Sequence, residues 1–150
     1  MGRVNAWAHL EVELSPEPQF FVQAPDGRKD WAETPRQTAL FKTMRMAAPR
    51  VLGFPIPNAG KRNPMQARRE GIMAGVFDTQ WIWRDNLTAW VELKGYTKGG
   101  RPGQLSDQQI EFGNRLTVLG VPCACFFDPY DAIDWLRGLG FPIREVNRAA

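Results

Sequence analysis

Histidine is almost missing from this chain. His9 is the only one and falls in the N-terminal arm, so histidine triads, His-ligated metal sites and imidazole general-base schemes have little support. Cysteine is nearly as scarce. Cys123 and Cys125 stand one residue apart in an apolar stretch, where a mutual disulfide is sterically implausible and no partner cysteines complete a zinc site. They are expected as buried thiols in a reducing compartment. No run of about 18 apolar residues occurs, and Met1 to Leu10 lacks a basic segment leading into an apolar one. Neither a membrane span nor a secretory signal is therefore expected, and the chain is assigned to the cytoplasm. Gly99-Gly100 is followed by no Gly-Lys-Ser/Thr, which excludes a phosphate-binding P-loop.

Acid is the other absence, and it is local. Residues 36 to 69 carry Arg36, Lys42, Arg45, Arg50, Lys61, Arg62, Arg68 and Arg69 with no Asp or Glu, a net of +8, whereas residues 1 to 33 sum to −3 and residues 70 to 150 to −2. The overall charge of +3 is unremarkable, so its distribution carries the information. An acid-free basic block suits a polyanion; it also suits a solvated helix face. With 150 residues, 43% hydrophobic and 23% charged, the chain can bury one ordinary core.

Residues 1 to 32 are rich in Pro, Glu and Gln and read as an irregular N-terminal arm, with one alternating patch at His9 to Leu14 able to form a short edge strand. Residues 33 to 150 read as a single domain. A helix is signalled from Thr34-Pro35, with Thr34 as cap, Pro35 at its first position and Leu40, Met44 and Ala47 as its apolar stripe, stopped by Pro49. A short strand through Val51 to Ile56 follows, then a loop at residues 57 to 63 and a short basic helix from Met65 to Gly71. Val76 to Trp83 and Thr88 to Gly95 form a hairpin across Arg84 to Leu87. Ser106 opens a helix whose Ile110, Leu116 and Leu119 face inward. Val121 to Phe127 is an apolar strand, and a last helix spans about Asp131 to Leu139, capped near Asp128 or Asp131. This order predicts an α/β fold with a mixed sheet of about four strands flanked by helices.

Strand parity puts Trp90, Glu92 and Lys94 on one face of their strand and Val91 and Leu93 on the other. A hairpin loop of three or five residues centred on Asp85 sets Asp78 opposite Glu92, about 5 Å away between Cα atoms; a two-residue loop would oppose Asp78 to Leu93 instead. Two carboxylates so close repel unless a cation lies between them, and hard oxygen donors suit Mg²⁺ or Mn²⁺. A surface salt bridge between Glu92 and Lys94 is the plainer alternative. Among the six tryptophans, Trp81 and Trp83 share one hairpin face and are expected to seal a core or a dimer contact.

Several of these residues resemble the VRR-NUC group of the PD-(D/E)xK nuclease superfamily, especially small stand-alone forms from bacteriophages and prophages. The similarity runs from about Glu33 to Leu139. Its segments come in the family's order: Glu33 and Gln37 before Ala39-Leu40-Phe41; Ile56-Pro57-Asn58-Ala59-Gly60-Lys61-Arg62-Asn63; Gly71 to Asp78; Trp90-Val91-Glu92-Leu93-Lys94; and Leu105-Ser106-Asp107-Gln108-Gln109 before Leu116 and Gly120. The resemblance implies a restriction-endonuclease-like core and metal-dependent endonucleolytic hydrolysis of DNA. It further implies that Asp78 and Glu92 bind Mg²⁺ or Mn²⁺ together with the Leu93 carbonyl, that Lys94 is catalytic, and that Glu33 and Gln109 assist. Gln37 is equally a capping partner of Thr34. Asn58, Lys61 and Arg62 match a loop beside the family's active site; with Arg68 and Arg69 they are expected to contact DNA. Phe77 replaces the proline that usually precedes the aspartate, and Pro35 sets Glu33 at the edge of its helix.

A homodimer with two active sites is expected, suited to four-way junctions or flaps, in the cytoplasm of the host if the gene is phage-borne. No organic cofactor and no membrane partner is expected. The alternative is a non-catalytic DNA-binding accessory domain for phage replication, recombination or packaging, against which Asp78, Glu92 and Lys94 all stand intact. A Trp-rich protein-interaction module is a third possibility, in which the basic block would have no role.

Overall fold

The chain reverses at Arg84–Leu87, where Asp85 and Asn86 take φ of 58° and 60°, a left-handed conformation their short polar side chains tolerate. Trp83 donates its N–H to the Leu87 carbonyl at 2.8 Å and closes the turn. The strands it joins, Thr79–Ile82 and Thr88–Leu93, pair antiparallel from Thr79↔Val91 to Ile82↔Thr88. That register is symmetric about Asp85, so its next step sets Asp78 opposite Glu92, as the odd-loop alternative requires.

The computed structural model describes residues 16–57 and 63–148. In chain order the elements are β1 (Phe21–Val22), α1 (Glu33–Ala47), β2 (Leu52–Pro55), α2 (Pro64–Arg69), β3 (Thr79–Ile82), β4 (Thr88–Leu93), α3 (Asp107–Val118), β5 (Cys123–Phe126) and α4 (Pro129–Leu139). The sheet order is β1-β5-β4-β3-β2, with β1, β5 and β4 parallel and β4, β3 and β2 antiparallel. The fold is α/β with a mixed sheet flanked by four helices, compatible with a restriction-endonuclease-like core. It has five strands where about four were expected. The extra strand, β1, comes from the region read as an arm, and the alternating patch at His9 to Leu14 lies outside the described residues. A two-residue strand has no detectable period, so β1 was invisible to pattern reasoning.

One face of the sheet carries Ala89, Val91, Leu93, Ala124 and Phe126, packed on Leu40 and Met44 of α1 and Ala132, Ile133 and Leu136 of α4. Trp81 belongs to this core and lies against Phe41, ring centroids 5.0 Å apart. The opposite face packs on α3 through rings: Phe77 meets Phe20 and Phe112, and Trp90 meets Phe112, all with centroids 5.3–5.4 Å apart. Phe20 can sit there because position 113 is glycine, where a Cβ would clash with its ring. Cys123 and Cys125 are buried free thiols, as expected, and burial first, then the Glu92 charge, pushes Cys125 up to about 12.

Three local readings change. Helix α1 begins at Glu33 with Ala32 as its cap residue and no capping side chain. Thr34 therefore lies inside the first turn, Gln37 has no capping role, and Pro35 still sits where the backbone N–H has no helical partner to lose. Leu119, expected inward, is 74% exposed at the C-terminal cap of α3, although its backbone still follows the helix. Arg36 is not part of a solvated basic face. It is fully buried, pairs with Asp26 through both terminal nitrogens, and donates to the carbonyls of Trp31, Arg28 and Phe127. Asp26, although burial opposes it, is held below the ordinary carboxylate range by Arg36.

Residues 16–32 of the arm are thereby tied down. Gln23 locks them further, its carbonyl oxygen accepting from Phe127 N and Asp128 N and its amide donating to Asp131.

Candidate active site

Three elements deliver carboxylates to one place. Glu33 opens α1, an acid in a first turn being favoured by the helix dipole. Asp78 precedes β3, and Glu92 lies in β4 directly across the hairpin. One carboxylate oxygen from each lies within 4.8 Å of the others. Glu92 is fully buried; its Oε2 accepts from Asp78 N at 2.8 Å and its Oε1 from Gln109 Nε2 at 2.7 Å.

Lys94, one residue beyond β4, extends into the same space, as strand parity requires. Its Nζ lies 3.2 Å from Glu92 Oε1 and donates to Gln109 Oε1 at 3.1 Å. The contact between Glu92 and Lys94 is therefore a buried one, not the surface salt bridge of the plainer alternative. Gln109 is doubly committed. It completes a capping box with Ser106, accepting from Ser106 N at 3.0 Å while Ser106 Oγ accepts from Gln109 N, so the start of α3 and the orientation of both Glu92 and Lys94 depend on one amide.

The electrostatics follow from this crowding. Burial, then the Asp78 charge, raises Glu33 to about 7 and Glu92 to about 8. Burial disfavours the Lys94 ammonium, but the Glu92 and Glu33 charges outweigh it and hold Lys94 above its ordinary value. Among the described residues Asp78 Oδ2 is buried with no hydrogen-bond partner, an arrangement that normally costs about 1–3 kcal/mol. Three mutually repelling carboxylates, one with an orphaned oxygen, form a donor set that a hard divalent cation fits.

These shifts set a pH dependence. Between the usual glutamate value of 4.5 and the raised values of about 7 and 8, the folded protein binds more protons than the unfolded chain. Stability with metal chelated is therefore greatest near pH 4.5 and declines as pH rises to about 8. Melting temperatures in EDTA should fall across that interval, and Mg²⁺ should restore stability most strongly at its alkaline end. A melting temperature that climbed with pH in EDTA would contradict the coupling.

The expected site residues divide as follows. Glu33, Asp78, Glu92, Lys94 and Gln109 converge. Leu93 lies between Glu92 and Lys94 with its side chain buried in the opposite core. Arg68 and Arg69 form the exposed last turn of α2 and make no hydrogen bond to the cluster among the described residues. Asn58, Lys61 and Arg62 lie outside the described residues. Phe77, where the resembled family has proline, anchors Asp78 through its two ring contacts.

One contributor was overlooked. Gly95 lies so close to α1 that a Cβ there would run into Glu33 N and Ala32 C; a glycine closing a strand is a recognised sign of close backbone approach. Gly95→Ala should push the start of α1 away, lower stability by about 1–3 kcal/mol and weaken the rise in melting temperature caused by Mg²⁺. Gly99→Ala is the control, since a Cβ there meets only Thr97 Oγ1 at 3.8 Å. Equal Mg²⁺ responses in the two variants would refute the positioning role.

Comparison of the chain with protein-family models, with curated proteins and with solved structures gives no significant match.

Proposed function

We propose that this protein is a divalent-metal-dependent DNA endonuclease. The observation that carries the reading is the meeting of Glu33, Asp78 and Glu92 within 4.8 Å around an orphaned carboxylate oxygen, with a buried lysine hydrogen-bonded into the group.

Asp78, Glu92 and Glu33 would hold Mg²⁺ or Mn²⁺, with the Leu93 carbonyl available beside them. Such an ion, when bound, lowers the pKa of a coordinated water and neutralises charge developing on a phosphate. Glu92 and Glu33 keep Lys94 protonated, so its ammonium stands ready to orient water and stabilise the negative charge on the phosphate oxygens. Two of its interactions are committed to Glu92 and Gln109, which leaves donor capacity for substrate. Gln109 keeps Lys94 and Glu92 in register, and burial of the group strengthens every charge interaction within it.

The substrate is DNA, acted on by a homodimer whose paired sites suit a four-way junction or flap. Among the described residues no helix is long and apolar enough to cross a membrane, and the cytoplasm is the proposed compartment. The test incubates wild type with labelled junction, flap and linear DNA in Mg²⁺, Mn²⁺ or excess EDTA. Metal-dependent cutting is expected, fastest on branched substrates. Equal rates on all three would remove the branched preference. Tight, salt-sensitive binding without cutting in any metal would replace the nuclease by an accessory DNA-binding domain.

A further inference from the structure

A groove between α1 and β2 leads away from the acidic cluster. Its near part is a cavity of about 250 Å³ lined by Thr34, Gln37, Thr38, Phe41, Arg45 and Pro55. Through Phe41, Arg45 and Pro55 it continues into a second cavity of about 180 Å³ that runs toward Ala48 and Val51 over Trp81. Both walls start at the carboxylates. Thr34 follows Glu33 in the chain, and Ile56, next after Pro55, donates its N–H to the Asp78 carbonyl at 2.7 Å.

The charge on this groove is of one sign. With Arg36 buried against Asp26, the cations left on α1 and the turn after it are Lys42, Arg45 and Arg50. All three are exposed, and none makes an ion pair among the described residues. No acid occurs from residue 34 to 69. Of these cations Arg45 alone lines both cavities. A helix rises about 1.5 Å per residue, so Arg45 lies roughly 18 Å along α1 from Glu33. One strand of a stacked B-form duplex advances about 3.4 Å along the helix axis per phosphate, so that span corresponds to about five nucleotides of a strand that keeps its duplex stacking.

We propose that this groove holds the substrate strand on one side of the cut, with Arg45 gripping a backbone phosphate about five nucleotides away. This rests on the nuclease reading. The guanidinium offers forked donors matched to a phosphate.

The test measures KM in Mg²⁺ for substrates whose strand extends two, four, six or eight nucleotides from the cut on each side. For wild type, KM should drop about tenfold once one side passes about five nucleotides, the scale of one charge-assisted hydrogen bond. Arg45→Ala should remove that step and Arg45→Glu should invert it. In EDTA, anisotropy with a labelled duplex should show the salt slope of Arg45→Ala reduced by about 0.9, the B-DNA value for one phosphate contact. Cleavage with the same length step in wild type and Arg45→Ala overturns the groove while leaving the nuclease intact. Absent cleavage, with Arg45→Ala still losing affinity and slope, overturns the nuclease while leaving a strand-binding groove.

Discussion

Asp78→Asn should abolish metal-dependent DNA cleavage while making the metal-free protein more stable. The two effects come from the same atom. Asp78 Oδ2 is buried without a partner among the described residues, and the Asp78 charge helps to raise both Glu33 and Glu92. Removing that charge relieves repulsion, and an amide can donate where a carboxylate cannot. The same change takes a hard oxygen ligand from the cluster. Loss of several kcal/mol of transition-state stabilisation corresponds to about 10³-fold or more in rate. Lys94→Ala should reduce cleavage on a similar scale without the gain in stability. Single-turnover cleavage in Mg²⁺ and melting curves in EDTA read the two quantities separately. If Asp78→Asn kept wild-type cleavage, the cluster would not be the catalytic centre; if its metal-free melting temperature fell, the repulsion account would be wrong.

Arg36→Met should be the most destabilising single change at a charged residue. It strips Asp26 of its partner and leaves the Trp31, Arg28 and Phe127 carbonyls without their donor. Breaking a buried ion pair from one side typically costs about 3–5 kcal/mol, against a total stability of about 5–15 kcal/mol for a domain. For this length that corresponds to a fall of roughly 6–20 °C in melting temperature. Arg36→Lys should rescue little, because a lysine cannot reproduce a forked set of donors to Asp26 and three carbonyls. Arg36 also stacks over Trp31, 4.6 Å from its ring centroid, so aromatic contact is lost as well. Chemical denaturation followed by circular dichroism measures the effect; a loss below 1 kcal/mol would show that the arm docks without this pair.

Arg36 also marks where sequence reasoning reached its limit. Counted by sign, it was one of eight cations in an acid-free block. Its partner, Asp26, lies ten residues earlier in a stretch that carried no regular pattern, and nothing local separates a buried arginine from an exposed one on the same helix. The same holds for the arm. Gln23 and Phe20 look like ordinary loop residues, yet one bridges β5 to α4 and the other fills the space left by Gly113. Leu119 failed for a different reason: apolar spacing placed it inward, yet at the cap of α3 it stays 74% exposed.

The candidate site was more legible because its geometry is governed by short-range rules. Alternation along β4 put Glu92 and Lys94 on one face, and of the two hairpin registers left open the structure takes the one symmetric about Asp85, which sets Asp78 opposite Glu92. Ser106 marked the start of α3, but the capping box it forms with Gln109, and the reach of that glutamine to Glu92 and Lys94, came only with the structure.

By itself the sequence determined the α/β order of elements and set Glu92 and Lys94 on one face of their strand, because periodicity acts over a few residues; the register that places Asp78 opposite Glu92 was one of two it left open. Only the tertiary structure decided that Glu33 joins them, that Arg36 leaves the basic face for the interior, and that a fifth strand closes the sheet. Each of those depends on which distant backbones can approach, as at Gly95, and on which charges lose water, and burial is a property of the assembled chain.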